Sequence, residues 1–297
     1  MNRILFSNPF RTEGSWMKGN LHSHTTNSDG MLTPPQIVLL YHSSGYDFLS
    51  ITDHDKITNT ENLKREGIIL IPGEEISIGK LHLAAFNIRR EIRSKDPENA
   101  IEEVKSQGGE VIVAHPYWSS LTIEDLEKLE GYLGIEVYNA TCEVSVAKGY
   151  ANVHWDTLLS RGKLTYGFAV DDVHVGDLLP RKRPTDACRG WVMVKVKERS
   201  LESLMESLRK GLFYSTMGPE IRDLQVENEI IRVKSSPARV ISFISENGLG
   251  RRFFAYDKPL TEAIYRVKNG ESYVRIEVED EKGRRAWTNP IIISREE

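Results

Sequence analysis

One pattern recurs through the first 175 residues and restricts the fold more than anything else in the chain: a short apolar run, a histidine or carboxylate at its end, then helical spacing. Phe48-Leu-Ser-Ile-Thr52 leads into Asp53-His54, Ile68-Ile-Leu-Ile71 into Pro72-Gly73-Glu74-Glu75, and Leu81-His-Leu-Ala-Ala-Phe86 carries His82. Val111-Ile-Val-Ala114 ends in His115, Ile135-Glu-Val-Tyr138 ends in Asn139, and Leu164-Thr-Tyr-Gly-Phe168 precedes Asp171-Asp172-Val173-His174. Helical stretches are expected after the cap Thr33-Pro34-Pro35 up to Gly45, then over 59–66, 97–107 and about 143–161. Strand–helix alternation implies a parallel sheet, and so many successive units suit a barrel. In a barrel the C-terminal strand ends share one rim, so residues distant in sequence converge. His22, His24, His54, Glu75, His115 and Asp172 all occupy such ends or their margins. Satisfied polar groups of a core would show no preference for one end.

The segment Lys18-Gly-Asn-Leu-His22-Ser-His24-Thr-Thr-Asn-Ser-Asp29-Gly30 begins the series. On an extended segment His22 and His24 point to the same side, and Asp29 follows in a polar turn. Two imidazoles and a carboxylate at a strand end are half of a metal site. A mixed imidazole–carboxylate set suits Zn, Mn or Fe rather than Ca or Mg alone. Two such ions about 3.5–4 Å apart, sharing a carboxylate, lower the pKa of a shared water. Metal-bound hydroxide is then the expected nucleophile, with no serine or cysteine triad required.

The motifs His22-x-His24, Ser28-Asp29-Gly30, Thr52-Asp53-His54, Gly73-Glu74-Glu75-Ile76-Ser77, Ala114-His115-Pro116 and Asp172-x-His174 resemble, in order, those of the PHP (polymerase and histidinol phosphatase) family, over residues 18 to 175. That resemblance implies an α/β fold, a distorted (β/α)7 TIM-like barrel, with two or three divalent metal ions (Mn, Zn or Fe) at its rim. It implies that His22, His24, Glu75 and Asp172 hold one metal. Glu75 would bridge to a second, completed by His82 and His115, and Asp29, His54 and His174 would hold a third. Glu75 rather than Glu74 is the expected ligand, because the family's carboxylate directly precedes Ile-Ser or Ile-Thr. Asp171 departs from the family's usual serine and is expected to add a charge beside the ligands. Asp53, next to His54, is expected to orient a ligand imidazole. Asp53, Glu75 and His115 are therefore the candidates for a direct part in catalysis. Tyr117, Asn139, Arg181 and Lys182 are the candidate substrate contacts, while His154 reads as structural.

Beyond Asp172-x-His174, Trp191–Val196 reads as a strand and residues 201–208 as an amphipathic helix closed by Gly211. From about residue 220 the chain is short apolar runs punctuated by glycine, which predicts a C-terminal all-β sandwich-like domain. The expected domains are thus 1–219, a metal-dependent hydrolase barrel, and 220–297, an accessory sandwich. The 211–219 link and the Ala286-Trp-Thr-Asn-Pro290 ending resemble a PHP branch that includes carbamate hydrolases (the CehA/McbA type).

Among the 297 residues, 39% are hydrophobic and 28% charged, with a net charge of -4, which favours a small-molecule substrate over nucleic acid or a membrane surface. Two cysteines, no apolar run of membrane length and no signal-peptide core suit a cytoplasmic enzyme. The first expectation is a metal-dependent phosphoesterase acting on a small phosphate ester. The alternatives are a carbamate, ester or amide metallohydrolase, and a non-catalytic metal-stabilised module. Nine candidate ligands argue against the last, since a structural site needs no open multi-metal centre.

Overall fold

The computed structural model describes residues 2–63, 65–174 and 185–295. In chain order the elements begin β1 (Asn2–Leu5), β2 (Ser15–Asn20), α1 (Pro34–Ser43), β3 (Phe48–Ile51), β4 (Ile69–Ile78), β5 (Leu81–Phe86), α2 (Pro97–Ser106), β6 (Glu110–Val113) and α3 (Ile123–Lys128). They continue with β7 (Gly134–Asn139), α4 (Ala140–Val146), α5 (Asn152–Ser160), β8 (Tyr166–Val170), β9 (Trp191–Val196), α6 (Leu201–Arg209), β10 (Phe213–Thr216), β11 (Ile221–Glu227) and β12 (Ile230–Ala238). The last are β13 (Val240–Ile244), β14 (Gly250–Phe254), β15 (Leu260–Arg266), β16 (Tyr273–Glu279), β17 (Arg285–Thr288) and β18 (Ile291–Arg295). Two compact units emerge. One holds Met17–Trp155 and Phe168–Val192, and the other Met1–Trp16, Asp156–Gly167 and Met193–Glu297.

In the first unit the strands follow the order β2-β3-β4-β5-β6-β7-β8. The β2–β3, β3–β4 and β6–β7 pairs are parallel, whereas β4–β5 and β5–β6 are antiparallel. The sheet is therefore mixed, unlike the all-parallel sheet that strand–helix alternation predicts. The cause is local: Gly79, at φ 60°, and Lys80 close a hairpin between Ile78 and Leu81, and two residues leave no room for a crossover. β4 also runs through Ile78, so Glu74 and Glu75 lie within a strand rather than beyond its end. Past Ile51 the β3–β4 ladder continues as a single bridge, His54 to Glu75.

Thr33 N–H donates to Gln36 Oε1 at 2.9 Å to start α1, whose Ile37, Val38 and Tyr41 pack on Leu49 and Ile51. The helix expected over 59–66 is only a 3₁₀ turn at Glu61–Leu63. The one expected near 143–161 is two helices, because Ala147 adopts a left-handed φ of 56° and ends α4. α3, absent from the sequence reading, starts at the capping box of Thr122 with Asp125. Among the described residues no helix is long and apolar enough to cross a membrane.

In the second unit β11-β12-β15 form a three-stranded antiparallel sheet. β13, β17 and β18 each pair with β16, with β14 on β13, β10 on β17 and β1 on β18, all antiparallel. Leu224, Ile231 and Tyr265 from the first sheet share one core with Phe243, Ile276 and Val278 from the second. This unit takes in more chain than residues 220–297. Asp156 makes a bidentate pair with Arg275 (2.6 and 2.7 Å), Ser215 Oγ donates to the Gly167 carbonyl at 2.6 Å, and Asn289 Nδ2 donates to the Gly211 carbonyl at 3.1 Å.

Candidate metal centre

His22 and His24 follow β2 on an extended segment, so both rings take one side while Ser23, between them, turns away to donate to the Ser50 carbonyl at 2.6 Å. The backbone of 22–24 is held on both flanks. Thr52 N–H donates to Ser23 O (2.9 Å), Asp172 N–H to His22 O (3.0 Å), and His24 N–H to Val173 O (3.1 Å). Asp172 and His115 adopt φ values of 53° and 29°, conformations rare for residues other than glycine and found where a site demands a particular side-chain direction.

Glu75 stands at the middle. Its Oε2 lies 3.2 Å from His22 Nε2, 3.1 Å from His24 Nε2 and 3.1 Å from His54 Nδ1. Its Oε1 lies 2.8 Å from His82 Nδ1 and 3.0 Å from His115 Nε2. Asp172 Oδ1 is 3.0 Å from His24 Nε2 and 3.2 Å from His22 Nε2. Asp29 Oδ2 is 3.3 Å from His174 Nε2 and 3.5 Å from His54 Nε2. Three sets result in which one donor atom from each residue lies within 4.8 Å of the others: His22, His24, Glu75 and Asp172; His24, Asp29, His54 and His174; and His54, Glu75 and His82. All nine expected ligands are thus brought together. His54 also reaches the set expected for Glu75, His82 and His115, and His24 joins that of Asp29, His54 and His174.

Whether these atoms suit a cation turns on where the ring protons are. His22 Nδ1 faces the Glu136 carboxylate at 2.6 Å, and His174 Nδ1 faces the Asp172 backbone carbonyl at 2.7 Å. A carbonyl can only accept, so His174 Nδ1 carries a proton, and in the neutral ring the Nε2 lone pair looks at Asp29. Ser28 Oγ donates to Asp53 Oδ1 at 2.7 Å and so faces His24 Nδ1, 3.4 Å away, with a lone pair. Once neutral, as a metal ligand must be, the rings of His22 and His24 direct Nε2 lone pairs toward one another, 3.1 Å apart, and toward two carboxylate oxygens. Glu75 Oε2 and Asp172 Oδ1 are buried and, among the described residues, meet no donor other than these imidazoles. Lone pairs converging in a buried space repel unless a cation lies among them. The residues fit divalent metals.

The electrostatics agree. Burial alone would lower the His22 and His24 pKa values. Asp172, Glu136 and Glu75 outweigh it at His22, which rises well above 6.5, while Asp172 and Glu75 raise His24 to about 9. Burial likewise opposes charge on Glu75 and Asp172, yet the surrounding imidazoles, His22 foremost, hold both below the ordinary carboxylate range. At His54 burial prevails over Glu75 and the pKa falls. Protons and carboxylates here hold the charge balance that metal ions would.

Other candidates are placed differently from expectation. The Asp53 carboxylate does not orient an imidazole directly. It accepts from Thr25 N–H (2.7 Å), Ser28 Oγ (2.7 Å) and Thr58 Oγ1, and so fastens the turn that presents Asp29. The imidazole-orienting carboxylate is Glu136, which sequence reasoning passed over; its signal was an acidic residue inside the apolar run of β7. Asn139 is fully buried and contacts no open space. Its Nδ2 donates to Glu136 Oε2 (2.8 Å) and Asp172 Oδ2 (3.0 Å), and its Oδ1 caps α4 through Cys142 N–H. Asp171 turns away from the ligands to accept from Tyr41 OH (2.6 Å) and from the N–H groups of Cys188, Arg189 and Gly190. Burial raises its pKa to about 6 against those bonds. Tyr117 faces Lys148 and His154, and it is the next residue, Trp118, that lines the site. Arg181 and Lys182 lie outside the described residues. His154 Nε2 meets the Leu121 carbonyl at 3.0 Å, as a structural histidine would.

A cavity of about 250 Å³ opens over the metal-capable residues. Its remaining wall is Trp118, Thr141, Cys142 and Ser145, with the Trp118 ring 5.0 Å from His115 and 44% exposed.

No protein-family model matches the chain. It is 31% identical over 117 residues to an uncharacterized protein of Methanocaldococcus jannaschii, a match spanning 34% of this chain and 68% of that protein. The chain belongs to the same family as this archaeal protein. It is also 40% identical over 79 residues to the 5'-3' exoribonuclease Rnm of Escherichia coli, covering 23% of this chain and 27% of the ribonuclease. The match therefore spans only about a quarter of the enzyme's length. Among solved structures, a two-domain protein of Bacteroides vulgatus, described as containing a predicted PHP-like metal-dependent phosphoesterase, shares the fold. It gives a TM-score of 0.56 at 20% identity, over 90% of this chain and 91% of that one.

Proposed function

We propose that this chain is a PHP-like metal-dependent phosphoesterase that hydrolyses a small phosphate ester in the cavity above Glu75. The observation that carries the reading is the convergence of His22 Nε2, His24 Nε2, Glu75 Oε2 and Asp172 Oδ1, four buried acceptors with no proton donor among them when both rings are neutral. Two or three divalent ions would supply Lewis acidity and a water acidic enough to attack at neutral pH. His22, His24, Glu75 and Asp172 would hold one ion, Glu75 with His82 and His115 a second, and Asp29, His54 and His174 a third. Glu75, reached by five imidazoles, would be shared between two of these ions.

The chain's own part is to bind and orient. Glu136 and Ser28 hold ring protons on the outer nitrogens, and Asn139 turns one Asp172 oxygen inward. The Trp118 indole and the α4 residues Thr141, Cys142 and Ser145 bound the space left for substrate. We read the strands around the centre as a distorted barrel, on the support of the two backbone bonds that tie Asp172 and Val173 to the 22–24 segment. The fold shared with the Bacteroides protein, and the partial likeness to ribonucleases, which break phosphate esters, favour phosphoester over carbamate chemistry.

The deciding experiment is a screen of Mn- and Zn-loaded protein against phosphate monoesters, phosphodiesters and carbamates. Turnover of a phosphate ester that stops with chelator is the expected result. Carbamate turnover alone would replace the reading with the amide and carbamate class, and metal uptake with no turnover would leave a metal-stabilised module.

A further inference from the structure

We infer that Glu136 is a positioning residue that assembles His22, Asp172 and His115 into one prearranged set of ligands. Glu136 is fully buried in β7 between Ile135 and Val137, where strand geometry would otherwise place an apolar side chain. Its two oxygens accept three hydrogen bonds: Oε1 from His22 Nδ1 (2.6 Å), and Oε2 from His115 N–H (2.7 Å) and Asn139 Nδ2 (2.8 Å). The last two partners can only donate, so Oε2 has to be an acceptor.

Each bond acts on a different candidate ligand. At His22 the carboxylate keeps the proton on Nδ1, the tautomer whose Nε2 lone pair faces Glu75 and Asp172. At His115 it receives a backbone N–H from a residue at φ 29°, and so helps hold a conformation the chain would not adopt unaided. Through Asn139, whose second amide hydrogen goes to Asp172 Oδ2 at 3.0 Å, it fixes which Asp172 oxygen turns toward His24. One carboxylate therefore sets a tautomer, a backbone angle and a carboxylate rotamer in a single buried network.

Glutamine is the informative replacement because it keeps the shape and loses one acceptor. With its oxygen toward His22, its NH₂ meets two donors, His115 N–H and Asn139 Nδ2. With its oxygen toward those, its NH₂ meets His22 Nδ1 and drives the ring proton to Nε2, where metal would bind. The inference rests on the metal reading above, and the test separates the two. Full-length wild-type and Glu136→Gln proteins, stripped with chelator, are titrated with Mn(II) and with Zn(II), and metal bound is measured by elemental analysis and competition. Circular dichroism confirms the fold, and proton NMR of the Zn-loaded chains follows the His22 imidazole N–H.

We expect Glu136→Gln to bind metal about 10- to 100-fold more weakly and to lose the protected imidazole proton. Asn139→Ala should weaken binding less and retain that proton, since the Glu136–His22 bond survives; it carries the test by itself if Glu136→Gln does not fold. Wild-type uptake matched by Glu136→Gln, with the imidazole proton kept, overturns this inference alone, and so does unchanged affinity in Asn139→Ala where Glu136→Gln does not fold. A wild-type chain that takes up neither metal overturns both this inference and the metal reading.

Discussion

The acids of the β-rich unit and the two acids at the centre of the other unit, Glu75 and Asp172, are satisfied in opposite ways. In the β-rich unit each acid meets donors. Asp156 takes a bidentate grip from Arg275 and accepts from Tyr273 OH at 3.2 Å; Glu277 accepts from Trp287 Nε1 at 2.9 Å; Glu271 accepts from Tyr265 OH and from Lys268 N–H at 2.7 Å. In the other unit the central oxygens of Glu75 and Asp172 face only imidazole nitrogens, which bear protons there without metal and lone pairs once the rings are neutral. Donors complete the first arrangement, which is structural. The second is incomplete as a hydrogen-bond network and becomes complete with cations. Buried carboxylate oxygens faced by several imidazoles and, among the described residues, by no other donor are what set the metal-capable centre apart.

The comparison breaks most readily at Glu75. Glu75→Gln removes the negative charge shared by five imidazoles, so metal occupancy should fall and hydrolysis drop by about a thousandfold or more. Elemental analysis and turnover on the same preparation check this, and full occupancy in the variant would dissolve the distinction between the two units.

Next in size is the paired charge. Arg275 is almost fully buried, whereas the Asp156 side chain is 30% exposed and keeps Tyr273 OH, so Arg275→Ala, which removes the bidentate partner, should cost about 2 kcal/mol of stability. Urea unfolding measures the loss, and metal bound per folded chain should stay at the wild-type value. A fall in metal content would mean that the β-rich unit contributes to the centre.

A third prediction uses pH. The folded-state pKa values of His22, His24 and His115 lie above 6.5, so their contribution to stability is present below 6.5 and lost as pH rises through the folded values, about 9 for His24. Chelator-treated protein should therefore melt at progressively lower temperature between about pH 6.5 and 9. Mn-loaded protein should do the reverse, because metal displaces those protons and binds better as pH rises. Thermal melts across that range, with chelator and with Mn, decide it; parallel curves would contradict the reading of the centre.

The smallest effect is expected at Glu74. Burial raises its pKa to about 7, and its Oε1 accepts from Ile92 N–H at 3.0 Å. Glu74→Gln keeps that acceptor, so stability should change by no more than about 1 kcal/mol and metal content not at all. Loss of metal in Glu74→Gln but not in Glu75→Gln would shift the ligand register by one residue.

Residue type and spacing along the chain picked out His22, His24, Asp29, His54, His115 and Asp172, because ligand chemistry belongs to individual side chains and period-2 geometry sends His22 and His24 to one side; the resemblance of the motifs added His82 and His174 and chose Glu75 over Glu74. The apolar runs likewise marked β3, β5, β6 and β7, and the cap Thr33-Pro34-Pro35 marked α1. Tertiary structure alone decided the roles of residues whose partners are far away in sequence. His22 and Glu136 are 114 positions apart, and no local pattern links them. Asn139 reads from sequence as a pocket residue and is instead spent entirely on Glu136, Asp172 and Cys142. The antiparallel place of β5 follows from a two-residue turn that a strand-by-strand reading passes over, and the recruitment of 156–167 into the β-rich unit follows from the Asp156–Arg275 pair. Local propensities and side-chain chemistry can be read along the chain; hydrogen bonds between distant segments, which fix tautomers, rotamers and unit boundaries, exist only once the chain has folded.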